Sequence, residues 1–388
     1  MKVLGIQIVN GYSSEARNFA AMLGHRAGAY DALVLHHDWP GDRVSAGKFE
    51  KDSRARVKRF DTGWRPNRNR RRWRLAKIGS LLRLLIALPR MLKAAHAYDA
   101  DVIVSSQGRW DCFTATHIAR HLNKPQIILL QYTIGPWLGR HPLQRMLTCD
   151  HVVAVGDFYR DEALRHGVPP ERVTTIRVAM AVSPPPPPGT RERVRAELGV
   201  PANAPLLGIA ARLVPDKGQA DTIAAFAKVA STHRLARLTI VGDGVSRREL
   251  EAQAASTGLG DRIIFTGHRR DVPQILAALD VFSHPSRFDT CPVALLEASA
   301  AGLPAVAYAE GGGPEIIVDG ETGLLAPPGD VDALAAAFTK LLNEPDTARR
   351  MGAAGRCRIA AEFRPEDAGR SFATLLGHIL NFQSRSPG

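Results

Sequence analysis

Short apolar runs recur along the chain with the spacing of buried strands, each followed by a stretch of helical periodicity. In the first half, KVLGIQIV leads into a helix expected from Ser14 to Ala27, and DALVLHH follows. DVIVSS leads into a helix from Thr114 to Leu122, then QIILLQY and, later, HVVAVG. In the second half LLGIA, RLTIVG, RIIFTG, DVFSHPS, PAVAYA and GLLAPP are separated by further helical stretches. Strands that are apolar throughout, rather than at alternate positions, have both faces covered. Their alternation with helices predicts an α/β fold of parallel, doubly wound sheets.

At 388 residues the chain exceeds what one ordinary core organises, so two domains are expected. The run SPPPPPG, Ser183 to Gly189, marks the division. Consecutive prolines donate no backbone hydrogen bonds and favour a stiff, extended form. The pattern therefore predicts a first doubly wound α/β domain over 1–182, a linker over 183–200 and a second doubly wound α/β domain over 201–364, followed by a helix from about Pro365 to Phe382.

Composition narrows the class. Hydrophobic residues make up 45% and charged residues 23%, the balance of a globular protein. No apolar run reaches the ~18 residues of a membrane-spanning helix. The opening MKVLGIQIVNGYSS lacks the basic region, long apolar core and cleavage site of an export signal, so a cytoplasmic location is expected. Cys112, Cys149, Cys291 and Cys357 are scattered, with neither CxxC pairs nor a histidine at zinc spacing. They are expected to be reduced, buried thiols, and no metal site is expected.

The net charge of +13 has one address. Residues 48–93 hold 16 Lys or Arg against 3 Asp or Glu, a surplus equal to that of the whole chain. Such a concentration is a patch. Within it, Leu75, Ile78, Leu81, Leu82, Leu85, Leu88 and Leu92 share one side of a helical wheel, and Trp64 and Trp73 flank the cations. Two readings stand together: a core helix over 78–92, and a basic segment that rests on an anionic membrane surface. Nucleic acid is a third partner of that chemistry, but no recognisable nucleic-acid module accompanies the patch.

Candidate chemistry lies at the strand ends of the second half. In GIAARLVPDKGQADTIAAF a strand ends at Ala210, the loop carries Arg212 and Lys217, and Gly218 precedes a helix. A loop at the carboxyl end of a parallel strand that opens onto a helix N-terminus suits an anion. The Arg212 fork and the Lys217 point charge would together match a diphosphate. After the next strand, Gly242, Asp243 and Gly244 allow close approach of backbone to a ligand. In RFDTCPVALLEASAAGLPAVAYAEGGGPE, Asp289 precedes a helix opened by Pro292, and Glu297 lies within that helix, placed to accept a ribose diol. Gly311, Gly312 and Gly313 follow the next strand and would aim bare amides at an oxyanion. His284, His268 and His141 are possible proton carriers.

RLVPDKG, IVGDG and the run DTCPVALLEASAAGLPAVAYAEGGGPEIIVDGETGLLAPPGD, all between about 206 and 345, resemble the retaining GT-B glycosyltransferases of family 4. CDHVVAVGDFYRDEALRHGVPPERVTTI is similar to the segment that closes that family's first domain. The resemblance implies two Rossmann-like domains facing each other across a cleft, with the last helix (365–388) rejoining the first domain. It implies that Arg212 and Lys217 bind the donor diphosphate and Glu297 the ribose. Asp289 would contact the donor sugar, with Glu315 and Gly311 to Gly313 completing the pocket. It also implies a UDP- or GDP-sugar donor, no cofactor, and an acceptor hydroxyl on a lipid-linked or envelope glycan. The chain departs from the family at four places. Asp289 stands in place of a Glu, Gln131 in place of a His, RVAMAVSP in place of a Pro-Asn-Gly turn, and GYSSEA around Gly11 in place of a Gly-Gly loop. Gly11 and Gln131 are therefore the acceptor-side candidates. Alternative functions are a GT-B phosphorylase and a nucleotide- or glycan-binding relative without turnover.

Overall fold

The structure, a computed structural model, describes every residue except 8–13, 26–27, 38–42, 62–72, 107–108, 133, 135–143, 145, 288, 290–291 and 384–388. Gly11, Trp64, His141 and Cys291 lie outside the described residues. The chain divides into two compact units: Met1–Ala179 together with the C-terminal helix Pro365–Gln383, and Met180–Arg364.

The first unit is built on seven strands. They are β1 (Lys2–Gln7), β2 (Asp31–His37), β3 (Arg56–Phe60), β4 (Val102–Ser105), β5 (Gln126–Leu130), β6 (His151–Ala154) and β7 (Val173–Thr175), in the spatial order 3-2-1-4-5-6-7. Every pairing is parallel. The central strands β4, β5 and β6 are buried at every position, apolar except for Ser105, Gln126 and His151 at their ends. The edge strands β3 and β7 are largely or partly exposed. The helix Ser14–Gly24 stops short of the expected Ala27, and Arg109–Leu122 begins ahead of the expected Thr114. The C-terminal helix packs on the first of these. Gly369 approaches so closely that a Cβ there would stand 2.4 Å from the His25 carbonyl oxygen, and Phe372, fully buried, meets Tyr30 edge-on.

The long helix Trp73–Tyr98 covers one face of this sheet, rotated away from the orientation its leucines suggest. The residues it buries are Leu84, Ala87, Leu88, Met91, Ala94, Ala95 and Tyr98, while Leu82 and Leu85 face outward. Ala87, Ala94 and Ala95 therefore share the buried face with Leu84, Leu88 and Met91.

The second unit holds β8 (Leu206–Ala210), β9 (Arg237–Val241), β10 (Ile263–Gly267), β11 (Val281–His284), β12 (Ala305–Tyr308) and β13 (Gly323–Ala326), ordered 10-9-8-11-12-13. Its core joins Leu207, Ile209, Leu238 and Ile240 of the sheet to Phe226 and Phe338 of the covering helices. Both sheets reverse strand order beside their first strand, between β1 and β4 and between β8 and β11. Ligands of doubly wound folds bind outside the carboxyl ends of the strands at such switch points.

The linker expected over 183–200 is shorter than its sequence suggests. Residues Thr190–Glu197 form a helix anchored to the second sheet. Arg195, buried, donates to the Ala278 carbonyl at 2.9 Å, and both Arg191 and Arg195 pair with Asp280. Asp280 also accepts the Leu206 amide at 2.7 Å, which ties the helix to the start of β8. Cys112 and Cys149 are buried, but Cys357 is exposed: its turn of the helix Pro345–Glu362 points to solvent.

Candidate active site at the β8–β11 switch point

The loops after β8 and β11 are stapled together, which fixes the site. A 3-10 turn, Pro215–Lys217, ends at Gly218, whose φ of +74° belongs to the left-handed region. A Cβ at Gly218 would stand 2.0 Å from the Pro285 carbonyl oxygen, so only glycine lets the turn after β8 seat on the turn after β11. The Asp216 carbonyl accepts from the Ser286 hydroxyl at 3.0 Å and from the Arg287 amide at 3.1 Å. Below this, Thr222 Oγ1 and Ser283 Oγ are 2.9 Å apart. Gly218→Ala is expected to destabilise the second unit by more than about 1 kcal/mol, through strained φ and clash together. For a unit of this size each kcal/mol lowers Tm by roughly 2–4 °C. A melting curve superimposable on wild type would contradict this packing.

The staple brings together two candidate residues far apart in sequence. Lys217 Nζ donates to Asp289 Oδ2 at 2.8 Å, and the two side chains are only 14% and 20% exposed. His284, the buried last residue of β11, places Nε2 3.4 Å from the same oxygen. The ring nitrogen thus meets the carboxylate at the outer limit of hydrogen-bond distance. Burial pushes the Asp289 carboxyl up, but His284 and Lys217 outweigh it and hold the group well below the ordinary carboxylate range. Asp289 is therefore an anion at neutral pH, an acceptor of hydrogen bonds and not a general acid.

Arg212, between β8 and this turn, has an exposed side chain, and its carbonyl is held by Gln219 Nε2 at 2.9 Å. The glycines after β9 bring the second strand-end loop against it. A Cβ at Gly242, where φ is +136°, would stand 1.9 Å from the Ala211 carbonyl oxygen, and one at Gly244 would stand 2.2 Å from that of Leu213. Asp243 serves the turn itself, its carboxylate accepting the Gly244 amide at 2.8 Å and its carbonyl the Leu213 amide at 3.0 Å. His268 is exposed beyond the end of β10.

The glycine run after β12 differs from the expected cradle of bare amides. The Gly312 amide donates to the Asp289 carbonyl at 3.0 Å, and the Gly313 amide to Glu310 at 3.2 Å. A Cβ at Gly311 would stand 2.6 Å from the Asp289 carbonyl oxygen. Two of the three amides are thus spent inside the protein, and this turn clamps the Asp289 backbone. Glu297, in the helix Val293–Ala300, and Glu315, in the turn Gly313–Ile316, are half-buried beside it. A cluster that the motifs do not signal completes this edge: Asp221 accepts from the Tyr308 hydroxyl at 2.9 Å and pairs with Arg287 at 3.0 Å. The sequence hint was a Tyr closing an otherwise aliphatic strand, where a buried hydroxyl needs a partner.

At the switch point of the first sheet, Gln131 is built into a buried polar network. Its amide accepts from Asn18 Nδ2 at 3.0 Å and donates to the Ser106 carbonyl at 2.7 Å. The Ser106 hydroxyl bonds to Gln7 and stands 3.4 Å from Asp111 Oδ2. Gln7, Asn18, Ser106 and Asp111 escaped the sequence reading. A lone Gln ending the apolar strand KVLGIQ was the available signal, since a buried amide must be satisfied. Among the described residues, no group of three His, Cys, Asp or Glu side chains is arranged to hold a metal.

Two parallel Rossmann-like sheets, with charged side chains and glycine turns at the carboxyl ends of the second, define the GT-B class of fold. Comparison with known proteins gives the particular family. The model for glycosyl transferases group 1 matches residues 190–358, and that for Glycosyltransferase Family 4 matches residues 27–179. The chain belongs to the group 1, family 4 glycosyltransferases. It is 34% identical over 179 residues to the 2-deoxystreptamine glucosyltransferase of Streptomyces kanamyceticus, covering 45% of this chain and 46% of that one. It is 33% identical over 198 residues to a GDP-mannose-dependent monoacylated α-(1-6)-phosphatidylinositol monomannoside mannosyltransferase of Corynebacterium glutamicum, covering 49% and 51%. The chain thus spans about half the length of these curated relatives. Among solved structures, Anabaena Alr3699/HepE in complex with UDP superposes with a TM-score of 0.80 at 22% identity, over 97% of this chain and 100% of that one. A glycosyltransferase from Rickettsia africae gives 0.79 at 17%, over 98% of each. These two likenesses establish the fold.

Proposed function

We propose that this chain is a retaining glycosyltransferase that moves a sugar from a UDP- or GDP-linked donor to a hydroxyl of a lipid-linked or envelope glycan, at the cytoplasmic side of a membrane. The observation that carries the reading is the convergence of Lys217, Asp289 and the Arg212 loop on one switch point. The reaction breaks the bond from sugar C1 to the β-phosphate oxygen, and the diphosphate departs with the electron pair. The acceptor oxygen bonds to C1 on the same face, and its proton passes to a phosphate oxygen of the leaving group. Charge accumulates on the diphosphate, where fixed cations have most effect on the barrier. Lys217 and Arg212 serve there, Glu297 accepts the ribose hydroxyls, and Asp289, held ionised, accepts a hydroxyl of the donor sugar. The relatives support both donor bases, since one is named for GDP-mannose and the Anabaena protein was solved with UDP. The phosphatidylinositol mannoside in the Corynebacterium enzyme's name supports a lipid-linked acceptor. Gln131, with Ser106 at the first switch point, is assigned to the acceptor side.

Thermal-shift titration with UDP, GDP, ADP, inorganic phosphate and a short oligonucleotide tests the reading. One nucleoside diphosphate should raise Tm selectively, and Arg212→Ala and Glu297→Ala should each abolish the rise. A flat response to every nucleotide would sink the transferase reading.

A further inference from the structure

The outward side of the helix Trp73–Tyr98 has no role in the donor site, and its composition is unusual for a surface that meets only water. Large hydrophobic side chains are exposed at six described positions, and three of them, Leu82 (56%), Leu85 (47%) and Ile86 (65%), fall within five residues of this helix. Leu82, Ile86 and Pro89 follow the i, i+4, i+7 spacing of one helical face, with Leu85 alongside. Arg83 and Arg90, seven residues apart, line the neighbouring edge, and Lys93 continues the face one turn on. All three cations are exposed, and the Arg83 pair with an exposed Asp61 at 3.2 Å carries little energetic weight. The helix carries five Lys or Arg and no acidic residue along its length. The opposite side, from Leu84 to Tyr98, is fully engaged with the sheet, so the outer face is displayed by a rigid support.

We propose that this face docks on an anionic lipid bilayer, with Leu82, Leu85 and Ile86 entering the headgroup boundary and Arg83, Arg90 and Lys93 against lipid phosphates. A bilayer of anionic lipid supplies both halves of the complement, a shallow apolar layer and negative charge beside it. A second copy of the chain fits less well, because a twofold contact would set these cations against themselves. A nucleic acid offers phosphates but nothing for the aliphatic centre. The docking stands apart from the transferase reading, because vesicle binding requires no donor.

Flotation of the full chain with vesicles of phosphatidylcholine, alone or mixed with phosphatidylglycerol, is the test. The protein should float with the mixed vesicles and stay behind with the neutral ones. L82S/I86S should reduce partitioning about tenfold with Tm and the nucleotide-induced Tm shift unchanged. R90Q/K93Q should reduce it about fivefold per charge and flatten its salt dependence. Any of four results would overturn the proposal: no flotation with either vesicle, equal flotation with both, variants that float like wild type, or a dimer in sedimentation that L82S/I86S dissociates.

Discussion

Lys217→Met should lower the rate of sugar transfer by about 10²–10³, which would place Lys217 among the costliest single residues to lose. The magnitude follows from its position. It sits on a turn that cannot relax, because Gly218 locks the turn onto Pro285 and the Asp216 carbonyl binds the following loop. A cation held in advance against a developing phosphate charge needs no reorganisation when the bond breaks. Lys217 is also mostly shielded from water, so its field is less screened than that of exposed Arg212. Methionine keeps the apolar stem and removes only the charge. The loss should appear in kcat more than in KM, because diphosphate charge is greatest in the transition state. Arg212→Ala should weaken donor binding more evenly. A Lys217→Met enzyme that turns over within about threefold of wild type would remove Lys217 from the mechanism.

The sequence made the second sheet legible and the first only in part, for reasons of exposure. All six strands of the second sheet are apolar enough to read, and their ends carry the motifs. In the first sheet, β3 has the sequence RVKRF and lies at an edge, where charge discourages pairing with other chains and also hides the strand from an apolar search. The three-residue β7, at the other edge, is too short to announce itself. At the site, residue types and strand ends were readable, but the bonds among them were not. Lys217 and Asp289 are 72 positions apart, and nothing local says that they touch. The glycines illustrate a second limit. A glycine after a strand is equally suited to a ligand's approach and to the protein's own backbone, and at 218, 242, 244 and 311 the neighbour is a carbonyl of the chain itself. The Trp73–Tyr98 helix is the core helix expected over 78–92, but its buried face takes in Ala87, Ala94 and Ala95 and leaves out Leu82 and Leu85, which a wheel of leucines alone does not show.

Asp289→Asn should separate two properties that a simple loss of structure would move together: transfer should fall by about 10² or more, while free nucleoside diphosphate should bind more tightly. The Lys217 ammonium is paired with the Asp289 carboxylate at 2.8 Å. A diphosphate arriving there competes with that carboxylate for the same cation and is repelled by it. At an effective dielectric constant of about 20, charges 4 Å apart interact by about 4 kcal/mol before desolvation is counted, so a net gain of about tenfold in affinity is a modest share. Asparagine keeps the shape and the clamp on the backbone, since the Gly312 amide bonds to the carbonyl of residue 289 and not to its side chain. Transfer should fall for the opposite reason, because the ionised acceptor proposed for the sugar hydroxyl would be gone. Calorimetric titration with UDP and GDP, compared with turnover, reads both signs. In a Lys217→Met background the share of the tightening that comes from the released cation should vanish, leaving only the relief of repulsion. Weaker diphosphate binding in Asp289→Asn, in step with lost turnover, would mean that the pair supports the loop and does not compete with the donor.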